Sequence, residues 1–347
     1  MSGLTNFPGG ITSFGVPVLG GIAGIPFTGT YWFVDPVNGL DGNQGTSSAT
    51  ALQSLYRAVA LAADKNNDVI VLIGNGLSTG TARLSLAAAQ AVDSTATSGV
   101  LKWNKNALHL MGVAAPTSVA GRARIAPPTG TYTQATFGSA DFVEVTGSGC
   151  MFANVSLFHG FSTGGTGQIC WKDTGSRNAY WNMDFGGMGD AASAADTGSR
   201  SFKLGAAGSG ENSFYGCTFG LDTVTRGAAN ATLEFAGATP RNSFDRCTFL
   251  VDASASSPFH IIGTGADCLD REQWFRDCVF LNSIKSGGTG LTAVGSLTNA
   301  APGGYILLKS CTSVGATKWG DTNFLANSYV DGGPPTAGTS GLGVNPS

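Results

Sequence analysis

The string NSFYGCTFG at 212–220 comes back as NSFDRCTFL at 242–250. Weaker copies follow, QWFRDCVFL at 273–281 and ILLKSCTSV at 306–314. Their cysteines, Cys217, Cys247, Cys278 and Cys311, lie 30, 31 and 33 residues apart. A short unit that returns at such a spacing stacks on its neighbours, because one copy cannot bury its apolar face alone. The copies are rich in Phe, Cys and Thr and lack a helical period. Phe214 and Phe244 lead, through polar positions, to Cys217 and Cys247 and then to Phe219 and Phe249. Alternate side chains of a strand face opposite ways, so one set lines an interior and the other faces out. The repeat predicts coils of strands stacked as a parallel β-helix. Cys217, Cys247, Cys278 and Cys311, with Phe219, Phe249 and Phe280, are the expected core ladder, at about 4.8 Å per rung.

The repeat extends backward. Asn182-Met183-Asp184-Phe185 occupies the place of Gly216-Cys217-Thr218-Phe219, and Asn154-Val155-Ser156-Leu157 precedes it by one coil. A second strand is expected before each motif, at 201–204, 232–235 and 258–262, with Gly-, Ser- and Thr-rich turns between. Glycine numbers 52 of 347 residues and charged residues are 12%. Glycine is thus about twice, and charge about half, the usual share. Hydrophobic residues at 42% exclude a disordered chain. The net charge of −3 and the lack of a Lys/Arg-rich run argue against nucleic acid as a partner. No run of apolar residues is long enough to span a membrane as a helix, and no signal peptide is expected. Seven cysteines, four in one repeating slot, are expected to be reduced and buried rather than paired or zinc-bound.

Four regions follow. Residues 1–29 form an apolar arm broken by Gly and Pro, expected to order against a partner through Phe7, Pro8, Ile11, Phe14, Val16 and Pro17. Residues 30–100 form a strand–helix–strand cap and first coil. Its helix is expected to start with a Thr50–Gln53 capping pair and to bury Leu52, Leu55, Tyr56 and Val59. Residues 101–330 form the β-helix, and 331–347 a Pro/Gly/Ser tail expected to be flexible.

The run YWFVDPVNGLDGNQGTSSATALQSLYRAVALAADKNNDVIVLIGNG resembles the opening of pectate-lyase-like right-handed β-helix proteins, particularly those of phage virions. Val34-Asp35, the Gly39 to Gly45 loop, the helix and the strand at 68–73 match in order, and NFPGGITSFGVPVLGG is similar to the arm of phage structural β-helix proteins. The resemblance implies an all-β, right-handed parallel β-helix with a short capping helix. It also implies membership of a virion and a homotrimer. The family holds both capsid decoration or cement proteins and tailspikes that cleave host polysaccharide.

Catalytic patterns are thin in the linear sequence. Asp267, Asp270, Glu272 and Asp277 near His260 are the densest carboxylates, in what reads as a turn between coils. Asp184 and Asp190 stand alone. Two G-x-S-x-G matches, at 160–164 (beside His159) and 76–80, lack the helix that a nucleophile elbow needs. Asp35, Asn38, Asp41 and Asn43 supply oxygen ligands but not in EF-hand order. The aromatics Trp171, Tyr180, Trp181, Trp274 and Trp319 offer sugar-stacking rings, though core or interface packing is the simpler reading. The expectation is therefore a non-enzymatic virion protein without cofactor or metal, made in the host cytoplasm. It would dock on the major capsid protein or another virion protein through its arm. The alternative is a tailspike or tail fibre that binds or cleaves surface polysaccharide.

Overall fold

The structure is a computed structural model that describes residues 12–13, 16–17, 27–163, 166–205, 209–283 and 289–330. The chain winds as a right-handed parallel β-helix. Each turn lays down three short strands, for example Arg200–Gly205, Ser213–Tyr215 and Thr218–Phe219. The next turn repeats them as Ala231–Ala236, Ser243–Asp245 and Thr248–Ala253. Equivalent strands pair in parallel and in register, Phe214 with Phe244 and Phe219 with Phe249. Three sheets result. Sheet I has ten strands, from Tyr31–Val34 to Ser328–Val330. Sheet II has nine along its path, from Ala82–Arg83 to Thr312–Val314, and sheet III has seven, from Leu101–Trp103 to Gly295–Leu297. The cap strands Tyr31–Val34 and Val69–Ile73 belong to sheet I, so cap and coils share one sheet.

The interior is a set of ladders. Phe244 stacks between Phe214 and Phe275, with ring centroids 4.5 Å apart on both sides. Phe219, Phe249 and Phe280 stack at 4.8 Å per step. Cys217, Cys247 and Cys278 are buried in one row, and Cys311 is half-buried at its end. That row sits at a two-residue corner between sheets I and II. The first residue of that corner is left-handed in successive turns: Asn154, Asn182, Gly216, Arg246, Asp277 and Ser310, with φ between 47° and 59°. Asn and Gly accept that conformation readily, while Arg246 and Ser310 are held there by the turns on either side.

The first letter of the repeat has its own cause. At the corner from sheet III to sheet I, backbone N–H groups are enclosed and need acceptors. The side-chain oxygen of Asn212 accepts from Asn178 N (2.8 Å), that of Asn242 from Asn212 N (3.1 Å), and that of Gln273 from Asn242 N (3.3 Å). Asn178 does the same for Cys150 N at 2.8 Å. In the last copy Ile306 stands at this place and the amide row stops.

Helices close the ends. α1 (Leu55–Leu61) is N-capped by Ser54, whose hydroxyl accepts from Arg57 N. The expected Thr50–Gln53 start is corrected: Ser48–Thr50 is a single 3-10 turn and Leu52 bridges to Val34. Backbone bonds from Leu52 N to Phe33 O and from Asp35 N to Leu52 O hold that segment extended, which delays the helix. α2 (Leu86–Val92) packs on α1. Two one-turn helices, α3 (Gln134–Phe137) and α4 (Ala191–Ala194), interrupt the loops. At the other end α5 (Thr322–Ala326) buries Phe324 beside the last strand of sheet III.

Candidate functional site

The outer face of sheet I changes character along the axis. Its first rungs are apolar: Tyr31, Phe33, Val69, Val71, Met111, Met151, Ala153 and Trp181 form one cluster, with Phe27 laid over it and stacked on His109 at 4.4 Å. Beyond them, register places small residues in one outward row, Ala179, Ser213 and Ser243. The parallel row four positions of chain from the preceding corner holds Trp181, Tyr215 and Asp245. On the other side of the small row lie Arg177, Glu211 and Arg241, each left-handed at the corner from sheet III. The small residues are half-exposed, while their strand neighbours Tyr180, Phe214 and Phe244 point inward and are buried. A shallow groove therefore runs parallel to the axis, floored by Ala179, Ser213 and Ser243. Met151 and Trp274 occupy the same row at its two ends. Three rungs set Ala179 and Ser243 about 10 Å apart along the axis.

The walls are chemically distinct. Trp181 and Tyr215 stack at 4.2 Å and 23°. Asp245 continues that wall, paired with Arg246 at 2.8 Å. Glu211 is bridged by two guanidiniums, Arg177 Nε and Arg241 Nη1, each at 2.7 Å. Three arginines face two carboxylates, and Arg177 and Arg246 use only Nε in these pairs. Each guanidinium carries further N–H donors in a planar fork. Arg276, over the Trp274 ring at 4.7 Å, adds positive charge at one end. Groups of this kind match a polar, extended ligand with ring faces and hydroxyls.

The residues singled out in the sequence scatter otherwise. Trp171, Tyr180 and Trp319 are core residues, whereas Trp181 and Trp274 stand on the outer face of sheet I. Trp171 and Tyr180 belong to a buried network: Tyr180 donates to Asp173 at 2.6 Å and Trp171 to Tyr180 at 3.2 Å. Burial raises Asp173 to about 6. Asp184 is also buried and raised to about 6, with Ser156 Oγ and Ala120 N donating to it. Asp190 caps α4. The Asp267, Asp270, Glu272 and Asp277 group is not one cluster. Asp267 and Asp270 lie at the corner before sheet I, Glu272 on a strand of sheet I, and Asp277 at the corner after it. His260 is fully buried under Phe280, and His159 is stacked on Phe142 at 4.4 Å. Burial lowers both imidazoles to about 3. Ser162 donates to Tyr132 O and Ser78 opens a 3-10 turn, so neither G-x-S-x-G match forms an elbow in the described residues. Asp35 and Asp41 are turn-formers: Asp35 accepts from Val37 N and Asn38 N, and Asp41 from Gln53 N and Ser54 N. Among the described residues no group of three His, Cys, Asp or Glu side chains is placed to hold a metal. Phe7, Pro8, Ile11 and Phe14 lie outside the described residues. Only the backbone of Val16–Pro17 is placed, paired antiparallel with Thr12–Ser13. The tail 331–347 also lies outside them.

Sequence reading missed Arg177, Glu211, Arg241, Ala179, Ser213 and Ser243 as a set. The signal was present in the alternation after each Asn of the repeat, but only the stacking of coils aligns the rows.

No family model and no curated protein matches the sequence. Solved structures match by shape. Pectate lyase Pel9A superposes with a TM-score of 0.57 at 16% identity, over 87% of this chain and 68% of that one. A pectin methylesterase solved in complex with a hexasaccharide gives 0.52 at 13%, over 90% and 93% of the two chains. Pectin methylesterase PemA from Erwinia chrysanthemi gives 0.52 at 12%, over 84% and 81%. These neighbours are enzymes, and they overturn the expectation of a non-enzymatic chain. That expectation rested on the lack of a compact catalytic motif. In a solenoid, groups that meet at a site come from separate turns, so a linear search does not see them. At such identities the likeness shows the fold, the pectate-lyase-like right-handed parallel β-helix, and nothing finer.

Proposed function

We propose that the chain is a polysaccharide-acting β-helix of the tailspike kind, holding an extended glycan along the groove of sheet I. The observation that carries this is the floor of Ala179, Ser213 and Ser243 between an aromatic wall and a row of Arg and Glu. A rung spacing of about 4.8 Å is close to the rise of one sugar in an extended chain, so successive rungs would meet successive residues of the glycan in the same way. Trp181 and Tyr215 supply apolar ring surface for sugar faces, and the guanidiniums supply donors for hydroxyl or carboxylate oxygens. Glu211 and Asp245 flank the floor from opposite walls. Both carboxylates are already paired with arginines, so of the roles in acid–base cleavage they suit the charged one that assists attack rather than the acid that donates to the leaving oxygen.

The test pairs binding with cleavage on a panel of bacterial capsular polysaccharides. Trp181→Ala with Tyr215→Ala removes two aromatic contacts of about 0.5–1.5 kcal/mol each, so affinity falls by about 5- to 150-fold. Glu211→Gln and Asp245→Asn retain binding but lose release of reducing ends. Unchanged affinity in the aromatic double variant removes the groove as the binding site. Unchanged cleavage in both carboxylate variants removes Glu211 and Asp245 from the reaction.

A further inference from the structure

The thiol row at the corner between sheets I and II plays no part in the groove. Its four sulfurs stand on successive rungs, because register pairs Thr218 with Thr248, Thr248 with Val279 and Val279 with Thr312, each one residue after a Cys. Each thiol also reaches a carbonyl of the preceding turn, Cys278 Sγ to Phe244 O at 3.5 Å and Cys311 Sγ to Phe275 O at 3.4 Å. Register pairs Val279 with Thr312, so Cys278 and Cys311, one residue earlier, occupy the same row on adjacent rungs. Adjacent rungs set their Cα atoms about 4.8 Å apart, inside the roughly 4.4–6.8 Å that a disulfide spans. Cys217, Cys247 and Cys278 are sealed, whereas Cys311 is half-exposed at the end of the row. An oxidant entering from solvent therefore meets Cys311 first and finds Cys278 as the nearest resolving thiol. Cys150, Cys170 and Cys268 are buried elsewhere among neighbours that are not thiols.

We propose that Cys311 and Cys278 are a redox-modification site, closing to an intramolecular disulfide that staples the last two turns of the solenoid. The oxidant is a low-molecular-weight disulfide such as glutathione disulfide. The thiolate of Cys311 attacks one of its sulfurs, forming a mixed disulfide and releasing one glutathione thiolate. The Cys278 sulfur then attacks the Cys311 sulfur of that bond and expels the second glutathione. Two protein thiols are oxidised, one glutathione disulfide is reduced to two glutathione thiols, and the two protons lost by the protein end on those thiols. Contact with Cys278 and burial both hold the Cys311 thiol above its ordinary range, so exchange is slow at neutral pH and quickens as pH rises. The staple acts where a stack of turns opens most easily, at its end.

The test uses the full chain, folded, incubated with glutathione disulfide at pH 7 and pH 9. Free thiols are then counted and disulfides mapped by non-reducing peptide mass spectrometry. The expected result is loss of two of the seven thiols, a Cys278–Cys311 peptide pair, faster formation at pH 9, and a higher melting temperature that reductant reverses. Cys311→Ser, a change at a half-exposed position, abolishes the pair and the shift, while Cys150→Ser leaves both. All seven thiols remaining free in the folded protein, a map joining another pair, or only Cys311-linked dimers would overturn the proposal.

Discussion

At the residue scale, the interior is built from groups that must stay neutral. The chain has three histidines and all are buried: His109, His159 and His260. His109 accepts from Met151 N at 3.0 Å through Nδ1, while neither ring nitrogen of His159 or His260 has a hydrogen-bond partner among the described residues. Burial lowers His109 to about 4 and the other two to about 3. A histidine depressed on folding binds its proton first in the unfolded chain. Its contribution is therefore present above about pH 6.5 and is lost as pH falls toward the folded value. Asp173 and Asp184, raised to about 6, act the other way: they favour the folded state as pH falls from about 6 to about 4. Between about pH 6 and 4, three imidazoles oppose two carboxylates. One net proton is taken up on unfolding, a slope of about 1.4 kcal/mol per pH unit. His159→Phe should fit the stack between Phe142 and Phe161 and bring that slope close to zero. Denaturant melts at pH 4.5 and 6.0 check it; an unaltered slope would place the proton uptake elsewhere.

At the element scale, the cap depends on one lysine. Lys105 Nζ donates to Val59 O, Ala60 O and Ala62 O, the last carbonyls of α1, where a cation also meets the negative end of the helix. α1 is only seven residues long, too short to persist without such support. Lys105→Met keeps the stem and removes the charge and its three bonds. It should lower stability by about 1–2 kcal/mol. Thermal unfolding followed by circular dichroism measures this, and a melting temperature equal to the parent's would show that the carbonyls find water instead. The corners between sheets I and II belong to the same scale. Their left-handed residue was recognisable as Asn or Gly in three turns and less sharply as Asp277 and Ser310, but Arg246 carried no turn signature of its own.

At the scale of the whole molecule, each turn contacts only the turns beside it, so stability is cooperative along the axis and weakest at the ends. Middle turns, such as those of Arg200–Gly205 and Ala231–Ala236, bury both edges of their strands against neighbours. The last turn has only the short strand Ser328–Val330 and α5 beyond it. Amide exchange should be slowest from about residue 200 to 253 and faster by orders of magnitude at 289–330. Uniform protection along the chain would mean that the solenoid opens as one unit. The groove of sheet I lies mainly on the middle turns, which keeps its walls in register while the ends breathe.

What the chain by itself determined is the solenoid and its ladders. The repeated Asn, Phe, Cys and Phe each answer a need that recurs every turn: an acceptor for an enclosed N–H, two apolar rungs, and a small side chain at a tight corner. A need that recurs leaves a period, and a period can be read from one sequence. The groove was decided only by the tertiary structure. Arg177, Glu211 and Arg241 differ in kind from turn to turn, as do Trp181, Tyr215 and Asp245, and none is unusual in its own segment. They become two walls because parallel stacking brings positions about thirty residues apart onto neighbouring rungs, and that adjacency exists in the register of the strands, not in the order of the residues.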